Sequence, residues 1–262
     1  MLILNYLIIN GSPRRANTWK IVERVKDTLN KKEENTFDEV DLIDLNLPPC
    51  TGCYNCFNVG EDKCPHQNIV GPIVEKMKKC DGLIITSPVY VLNVSGLIKN
   101  FFDHLAYFYH RPYFFDKKAL IVVTTAGNGN KKVSSYMDEN LRNMGYNQRF
   151  ILSFVHAVDS HGYLPLKTKE KIDSTADKFY NNIKQNKIKS PSMKALFMYN
   201  IWRAMAQANT IPADSKYWQD NNLLNDEFHP DIPCSIIKKI PFKIFYRIML
   251  MFLSKNNVEQ EK

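Results

Sequence analysis

The sequence predicts an α/β chain: a doubly wound, five-stranded parallel sheet with a helical C-terminal extension. Three observations lead there. Short, almost wholly apolar runs recur at Leu2–Asn10, Gly82–Thr86 and Ala119–Thr125, as expected of strands buried on both faces. Segments with apolar residues at helical spacing separate them, and crossovers of that length force parallel pairing with helices on both sheet faces. Each run stops at turn-forming or small residues, Gly-Ser-Pro, Ser-Pro or Thr-Ala-Gly.

In chain order, the strand at Leu2–Asn10 is followed by a helix over Thr18–Leu29, with Ile21, Val22, Val25 and Leu29 on one side. Glu39–Leu45 alternates acidic and apolar residues, like a more exposed strand. A helix over Asn68–Cys80 leads to the strand Gly82–Thr86, and a helix over Ser95–Tyr109 to the strand Ala119–Thr125. Lys131–Met144 reads as helix, Arg149–Ala157 as the fifth strand and Thr168–Lys184 as the last crossover helix. The expected strand order is 2-1-3-4-5. Residues 1–188 form this body and residues 189–262 an extension, with helices over Ser192–Gln207 and Cys234–Lys255 and a Pro- and Asp-containing loop between them.

Composition narrows the function classes. The chain has 262 residues, 44% hydrophobic and 24% charged, with formal net charge +8. Its basic residues are scattered and form no basic-aromatic stripe, so nucleic-acid binding is not expected. The apolar N-terminus lacks the basic flank and cleavage site of a signal peptide, and no apolar run is long enough to span a bilayer, so the expected location is cytoplasmic. Six cysteines in a reducing compartment argue against a disulfide framework. Four of them crowd into Cys50–Cys64, which points to metal, cluster or redox chemistry.

In a sheet of this order, ligands bind beyond the carboxyl ends of the strands where the winding reverses. Three loops lie there. Asn10–Thr18 follows a strand and opens a helix, and Ser12, Arg14, Asn17 and Thr18 with free helix amides make a phosphate cradle. The alternative is an ordinary strand–helix turn with a Ser or Thr cap. Ser87–Gly96 offers Tyr90 as a flat face and Asn93 and Ser95 as hydrogen-bonding groups, or else a plain turn with a packed aromatic. Thr124–Asn130, with two glycines, permits close backbone approach to a ligand.

Gly11-Ser-Pro-Arg14 with Asn17-Thr18, Ser87-Pro-Val-Tyr90, and the run Ser95–Asp103 resemble the NAD(P)H-dependent FMN reductase family over about residues 1–185. Within it, the cysteine spacing resembles the iron–sulfur flavoproteins. The resemblance implies a flavodoxin-like fold and FMN, with NAD(P)H as co-substrate. It assigns the phosphate to Ser12, Arg14, Asn17 and Thr18. Pro88, Val89, Tyr90 and Asn93 would border the flavin ring, with Thr125, Ala126 and Gly127 on the other edge. Lys99 and Asp103 are expected to fix their helix rather than touch flavin. No side chain is assigned as a catalytic acid or base.

The spacing C-x2-C-x2-C-x7-C, through Cys50, Cys53, Cys56 and Cys64, fits a [4Fe–4S] cluster, which needs four convergent thiolates on irregular backbone. Zinc also takes four thiolates, usually as two separated pairs. A cluster-free thiol loop is the third reading, a thiol-sensing role included. His66 stands where the resembling proteins carry acidic residues, while Cys80 and Cys234 are expected to be plain buried residues. With a cluster the chain is an electron carrier. Without one it is a reductase acting on a quinone, nitro compound or similar acceptor.

Residues 232–258 hold Lys238, Lys239, Lys243, Arg247 and Lys255 and no acidic residue. Apolar residues nearly encircle the helix from Ile244 to Leu253, favouring packing on the core or in a homodimer or larger oligomer over membrane contact. Tyr217 and Trp218 are expected to reach a partner's flavin pocket or to cap the core.

Overall fold

The computed structural model describes residues 3–260, with side-chain surroundings through Leu253. Leu2 and the side chain of Lys255 lie outside the described residues. A five-stranded parallel sheet of order β2-β1-β3-β4-β5 is built from β1 Asn5–Asn10, β2 Thr36–Asp41, β3 Gly82–Pro88, β4 Lys118–Thr125 and β5 Gln148–Val155. This is the flavodoxin-like order expected from the sequence.

Alternation along the inner strands explains the two layers of helices. Leu7, Ile9, Leu83, Ile85, Ile121 and Val123 face one side, where α3 Gln67–Lys79, α4 Gly96–His104 and α6 Asn130–Asn143 cover them. Tyr6, Ile8, Ile84, Leu120 and Val122 face the other, under α1 Asn17–Asn30 and α7 Leu166–Lys184. Short helices α2 Asn55–Asn58 and α5 Tyr107–His110 lie outside this frame. Beyond it come α8 Met193–Gln207, α9 Pro212–Asp220 and α10 Ile236–Gln260.

Several boundaries differ from expectation. β2 begins three residues earlier than Glu39 and stops at Asp41, because its ladder with β1 runs from Asn5↔Thr36 to Asn10↔Asp41. Leu42 still donates to the Asn10 carbonyl at 3.0 Å, after which the chain turns, so the alternation over Leu42–Leu45 is not strand. The helix expected over Ser95–Tyr109 is two. At the C-terminus of α4, Leu105 donates to Phe102, a one-turn tightening that ends the helix before α5. β5 stops at Val155, freeing His156 and Ala157 for a loop. Cys80 is buried as expected, whereas Cys234 is only half-buried.

The extension is docked through a third apolar cluster that joins Phe115 of the body to Leu196, Tyr199, Trp218 and Phe228. Trp218 is fully buried and donates its indole N–H to the His110 carbonyl at 2.8 Å, and the Tyr217 hydroxyl donates to the Pro112 carbonyl at 2.8 Å. Both residues cap the body of their own chain, which is one of the two roles expected for them.

Candidate functional site

At the carboxyl ends of β1, β3, β4 and β5 a crevice of about 250 Å³ opens. The first wall is the β1–α1 loop, where Ser12, Arg14, Asn17 and Thr18 all line the crevice. Its backbone is fixed from below. Asn10 accepts from the Ser12 amide at 3.1 Å and from the Thr86 hydroxyl at 3.0 Å. Ser12 donates its own hydroxyl to the Arg14 carbonyl at 2.7 Å. The Ser or Thr cap that would make this an ordinary turn is missing, since Ala16 stands at the N-cap and no side chain caps α1. The first-turn amides of Asn17, Thr18 and Trp19 have no acceptor among the described residues.

The two adjacent arginines have separate roles. Arg15 pairs with Glu39 at 2.7 Å and Asp41 at 2.5 Å, and its guanidinium lies 3.9 Å over the Trp19 ring. Arg14 has no ion pair among the described residues and faces the crevice. A free guanidinium beside uncapped helix amides is a binding arrangement for a phosphate dianion.

The second wall is the β3–α4 loop. Pro88, Val89 and Tyr90 line the crevice, with Tyr90 44% exposed and so free to stack on a planar ligand. Asn93 does not line it. Asn93 and Tyr90 exchange backbone hydrogen bonds at 2.9 and 3.0 Å, and the Asn93 side chain accepts from Val94 at 2.9 Å, so this residue shapes the loop. Ser95 is also committed inward: its hydroxyl donates to the Gly11 carbonyl at 2.5 Å and accepts from Ile98 as the cap of α4. Between Tyr90 and Asn93, Val91 and Leu92 sit at φ +48° and +60°, the left-handed region that branched residues rarely adopt.

Thr125 and Ala126 line the third wall, while Gly127 stands back and donates to the Thr125 hydroxyl at 3.1 Å. Buried Thr18 and Thr124 join the first and third loops through a 2.6 Å hydroxyl contact. Sequence reasoning missed a fourth wall made by His156, Ala157 and Val158. Its signal was available, for these residues follow a strand at the same sheet edge. His156 is held there by donating its amide to Thr125 at 2.9 Å.

The cysteine loop follows β2. Cys50, Cys53, Cys56 and Cys64 line one cavity of about 290 Å³, together with Asp103 and His104. Asn100 of α4 anchors the loop's entry, accepting from the Cys50 amide at 3.0 Å and donating to the Leu47 and Pro48 carbonyls at 3.0 Å. Gly52 and Tyr54 take positive φ, as a tight wrap requires. Lys99 and Asp103 form an ion pair along α4, as expected of helix-fixing residues. His104 is buried, and its Nε2 lies 2.9 Å from Nδ1 of His66, with Cys64 beside them.

Arg111 locks the far side. Its guanidinium donates to the Cys56 carbonyl and to Glu61 at 2.6 Å, and its Nε lies 2.9 Å from Asp214 of α9 in ion-pair contact, though not aligned for a hydrogen bond. Asp214 accepts from or pairs with His110 Nδ1 at 2.7 Å. Burial pushes the Cys56 thiol up to about 11; Arg111 opposes this and the neighbouring cysteines reinforce it. Four soft sulfur donors around one cavity, one of them reluctant to ionise without a compensating cation, fit a bound metal group.

A flavodoxin-like sheet with a phosphate-receptive crevice and a thiol-lined loop defines a flavoprotein class, and sequence comparison specifies it. The pattern of the NADPH-dependent FMN reductase family matches residues 4–156, and the chain belongs to that family. An iron–sulfur flavoprotein of Clostridioides difficile is 32% identical over 190 residues, covering 69% of this chain and 80% of the relative. One from Archaeoglobus fulgidus is 31% identical over 141 residues, covering 52% of this chain and 62% of the relative. A second from that organism is matched over 48% of its length, so the chain spans about half to two-thirds of these two relatives. Among solved structures, an NADH:FMN oxidoreductase in its apo form superposes with a TM-score of 0.52 at 21% identity, over 68% of this chain and 89% of that one. An NAD(P)H:quinone oxidoreductase from Methanothermobacter marburgensis gives 0.52 at 16% identity, over 70% and 98%. Both share the fold.

Proposed function

We propose that the chain is an FMN-dependent oxidoreductase that takes electrons from NAD(P)H and passes them to a quinone, nitro compound or similar acceptor. One observation carries this reading. The uncapped N-terminus of α1 and Arg14, which has no ion pair among the described residues, meet the Tyr90 and Thr125 loops at one crevice. Bound there, FMN would supply the exchange of an electron pair for single electrons. The chain's own part is to bind and orient. The α1 amides, Ser12, Asn17, Thr18 and Arg14 would hold the phosphate. Pro88, Val89 and Tyr90 would hold one edge of the ring, and Thr125 and Ala126 the other, with Asn93 and Gly127 acting on the shape of their loops. No acid or base is required of the protein.

Titration of flavin-free protein with FMN, followed by quenching of flavin fluorescence, tests this. Arg14→Ala removes a charge-assisted phosphate contact of about 1.5–3 kcal/mol, so FMN affinity should fall roughly tenfold to a hundredfold. Unchanged affinity, or wild-type protein that refuses FMN, would defeat the reading.

A second reading is supported by the four thiols around one cavity and by the names of the sequence relatives. In it, Cys50, Cys53, Cys56 and Cys64 hold a [4Fe–4S] cluster and the chain is an electron carrier. Anaerobic reconstitution should then give about four iron and four sulfide per chain, with Cys53→Ala reducing both sharply while FMN still binds. Zinc in place of iron and sulfide would sink it. We further propose that residues 1–188 form the flavin body, that residues 189–262 are an extension docked on it, and that the working unit is a cytoplasmic homodimer or larger homo-oligomer.

A further inference from the structure

Helix α10 is apolar on two opposite sides, and the body occupies only one of them. On the inner side Phe242 is buried, Phe245 stands 5.0 Å from Phe197 of α8, and the Arg203 guanidinium lies 3.9 Å over the Tyr246 ring. On the outer side Ile237, Ile240, Ile244, Ile248 and Phe252 are 81%, 52%, 56%, 42% and 64% exposed. Their spacing of three and four residues puts them on one stripe, about 22 Å long at helical rise. The expectation that an all-round apolar helix is buried in protein thus holds for the inner side alone. A contiguous exposed stripe of large aliphatic residues marks an interaction surface.

The charges beside the stripe identify what it meets. Lys238 and Lys239 are tethered to the body, Lys238 to Ser190 at 3.1 Å and Lys239 to Asp226 at 3.3 Å. Lys243 and Arg247 border the stripe, are exposed, and form no ion pair among the described residues. Residues 232–258 contain no acidic side chain at all. A second copy docking stripe to stripe would bring Lys243 and Arg247 against their own counterparts with no carboxylate between them. An anionic lipid surface provides what both features lack, an apolar boundary for the isoleucines and negative headgroups for the cations. None of the described helices is long and apolar enough to cross a membrane, so α10 would lie in the interface plane.

We propose that α10 docks this protein onto anionic membrane surfaces through Ile237, Ile240, Ile244, Ile248 and Phe252, with Lys243 and Arg247 on the headgroups. Co-sedimentation of the full chain with vesicles of equal parts phosphatidylglycerol and phosphatidylcholine, and with phosphatidylcholine alone, tests it. The protein should pellet with the anionic vesicles only and be released by salt. The double substitution Lys243→Glu and Arg247→Glu should lower partitioning at least about tenfold, and Ile244→Asp with Ile248→Asp should abolish it. All four positions are exposed, and an unchanged melting temperature will verify that the variants fold. The proposal is overturned if the chain ignores both vesicle types or binds them equally. It is also overturned if light scattering shows a dimer that Ile244→Asp with Ile248→Asp dissolves while vesicles are ignored, since the stripe is then a self-interface.

Discussion

Substituting Arg111 by methionine should destabilise the chain by about 3–5 kcal/mol, the usual result of removing one member of a buried ion pair. Arg111 is 4% exposed and its partner Asp214 is 4% exposed, so neither can turn to water for compensation. The loss has three parts: the Asp214 carboxylate is left with His110 alone, the half-exposed Glu61 loses its partner, and the Cys56 carbonyl loses its donor. For a chain of this size each kcal/mol lowers the melting temperature by roughly 2–4 °C, so a drop well beyond that of a surface substitution is expected. Arg111→Lys retains the charge but loses the fork that donates to Glu61 and the Cys56 carbonyl while pairing with Asp214, and should recover only part of the difference. Thermal melts that place Arg111→Met within a degree or two of the parent would show the clamp to be dispensable.

The second large effect is expected at the floor of the crevice. A Cβ on Gly11 would fall 2.1 Å from Cγ1 of Ile98 and 2.5 Å from the backbone oxygen of Thr86. The isoleucine can rotate, but the Thr86 oxygen is fixed in the sheet, where it accepts the Gly11 amide at 3.1 Å. Gly11→Ala must therefore displace the β1–α1 loop that forms the first wall of the crevice, at a cost of roughly 1–3 kcal/mol. FMN affinity should fall more than stability does. Adding Ile98→Ala removes one clash, leaves the one with the Thr86 oxygen and empties part of the core, so the double variant should regain neither stability nor flavin. Flavin binding by Gly11→Ala within twofold of the parent would contradict this account.

How much of this the sequence revealed depends on the distance over which each feature is specified. The inner strands are legible because burial on both faces leaves nothing but apolar residues, as in Leu83–Ile85 and Leu120–Val123. The edge strand β2 has one partner and half-buried residues, so alternation suggested a register shifted toward Leu45. Helix α9 went unread because few of its residues are apolar and its one buried aromatic side chain, Trp218, is held by contacts more than a hundred residues away. The crevice was largely legible, since strand ends predict where loops converge, but not which residues would be committed to the scaffold, as Asn93 and Gly127 are within their own loops and Ser95 is to Gly11 of the first loop. The contact of Arg111 with Asp214 has no local signature. His104 was hidden for a related reason. It lies on the buried face of an apolar helix, and only its nearness to His66 sets it apart from core.

The cysteine loop is shielded unevenly. Phe57 lies 4.4 Å from the His110 ring, and His110 stacks at 3.6 Å on Trp202 of α8, so the extension stands behind Cys56. Cys50 and Cys53 remain exposed at the other side, and Cys56 and Cys64 are half-covered. The loop therefore has a front and a back. The exposed thiols Cys50 and Cys53 form the open front, and the rear is closed by Phe57 and His110 backed by Trp202, which alone of the three lies outside the family-matched stretch of the chain. The appended segment thus supplies the outermost layer behind the thiols and leaves their front open.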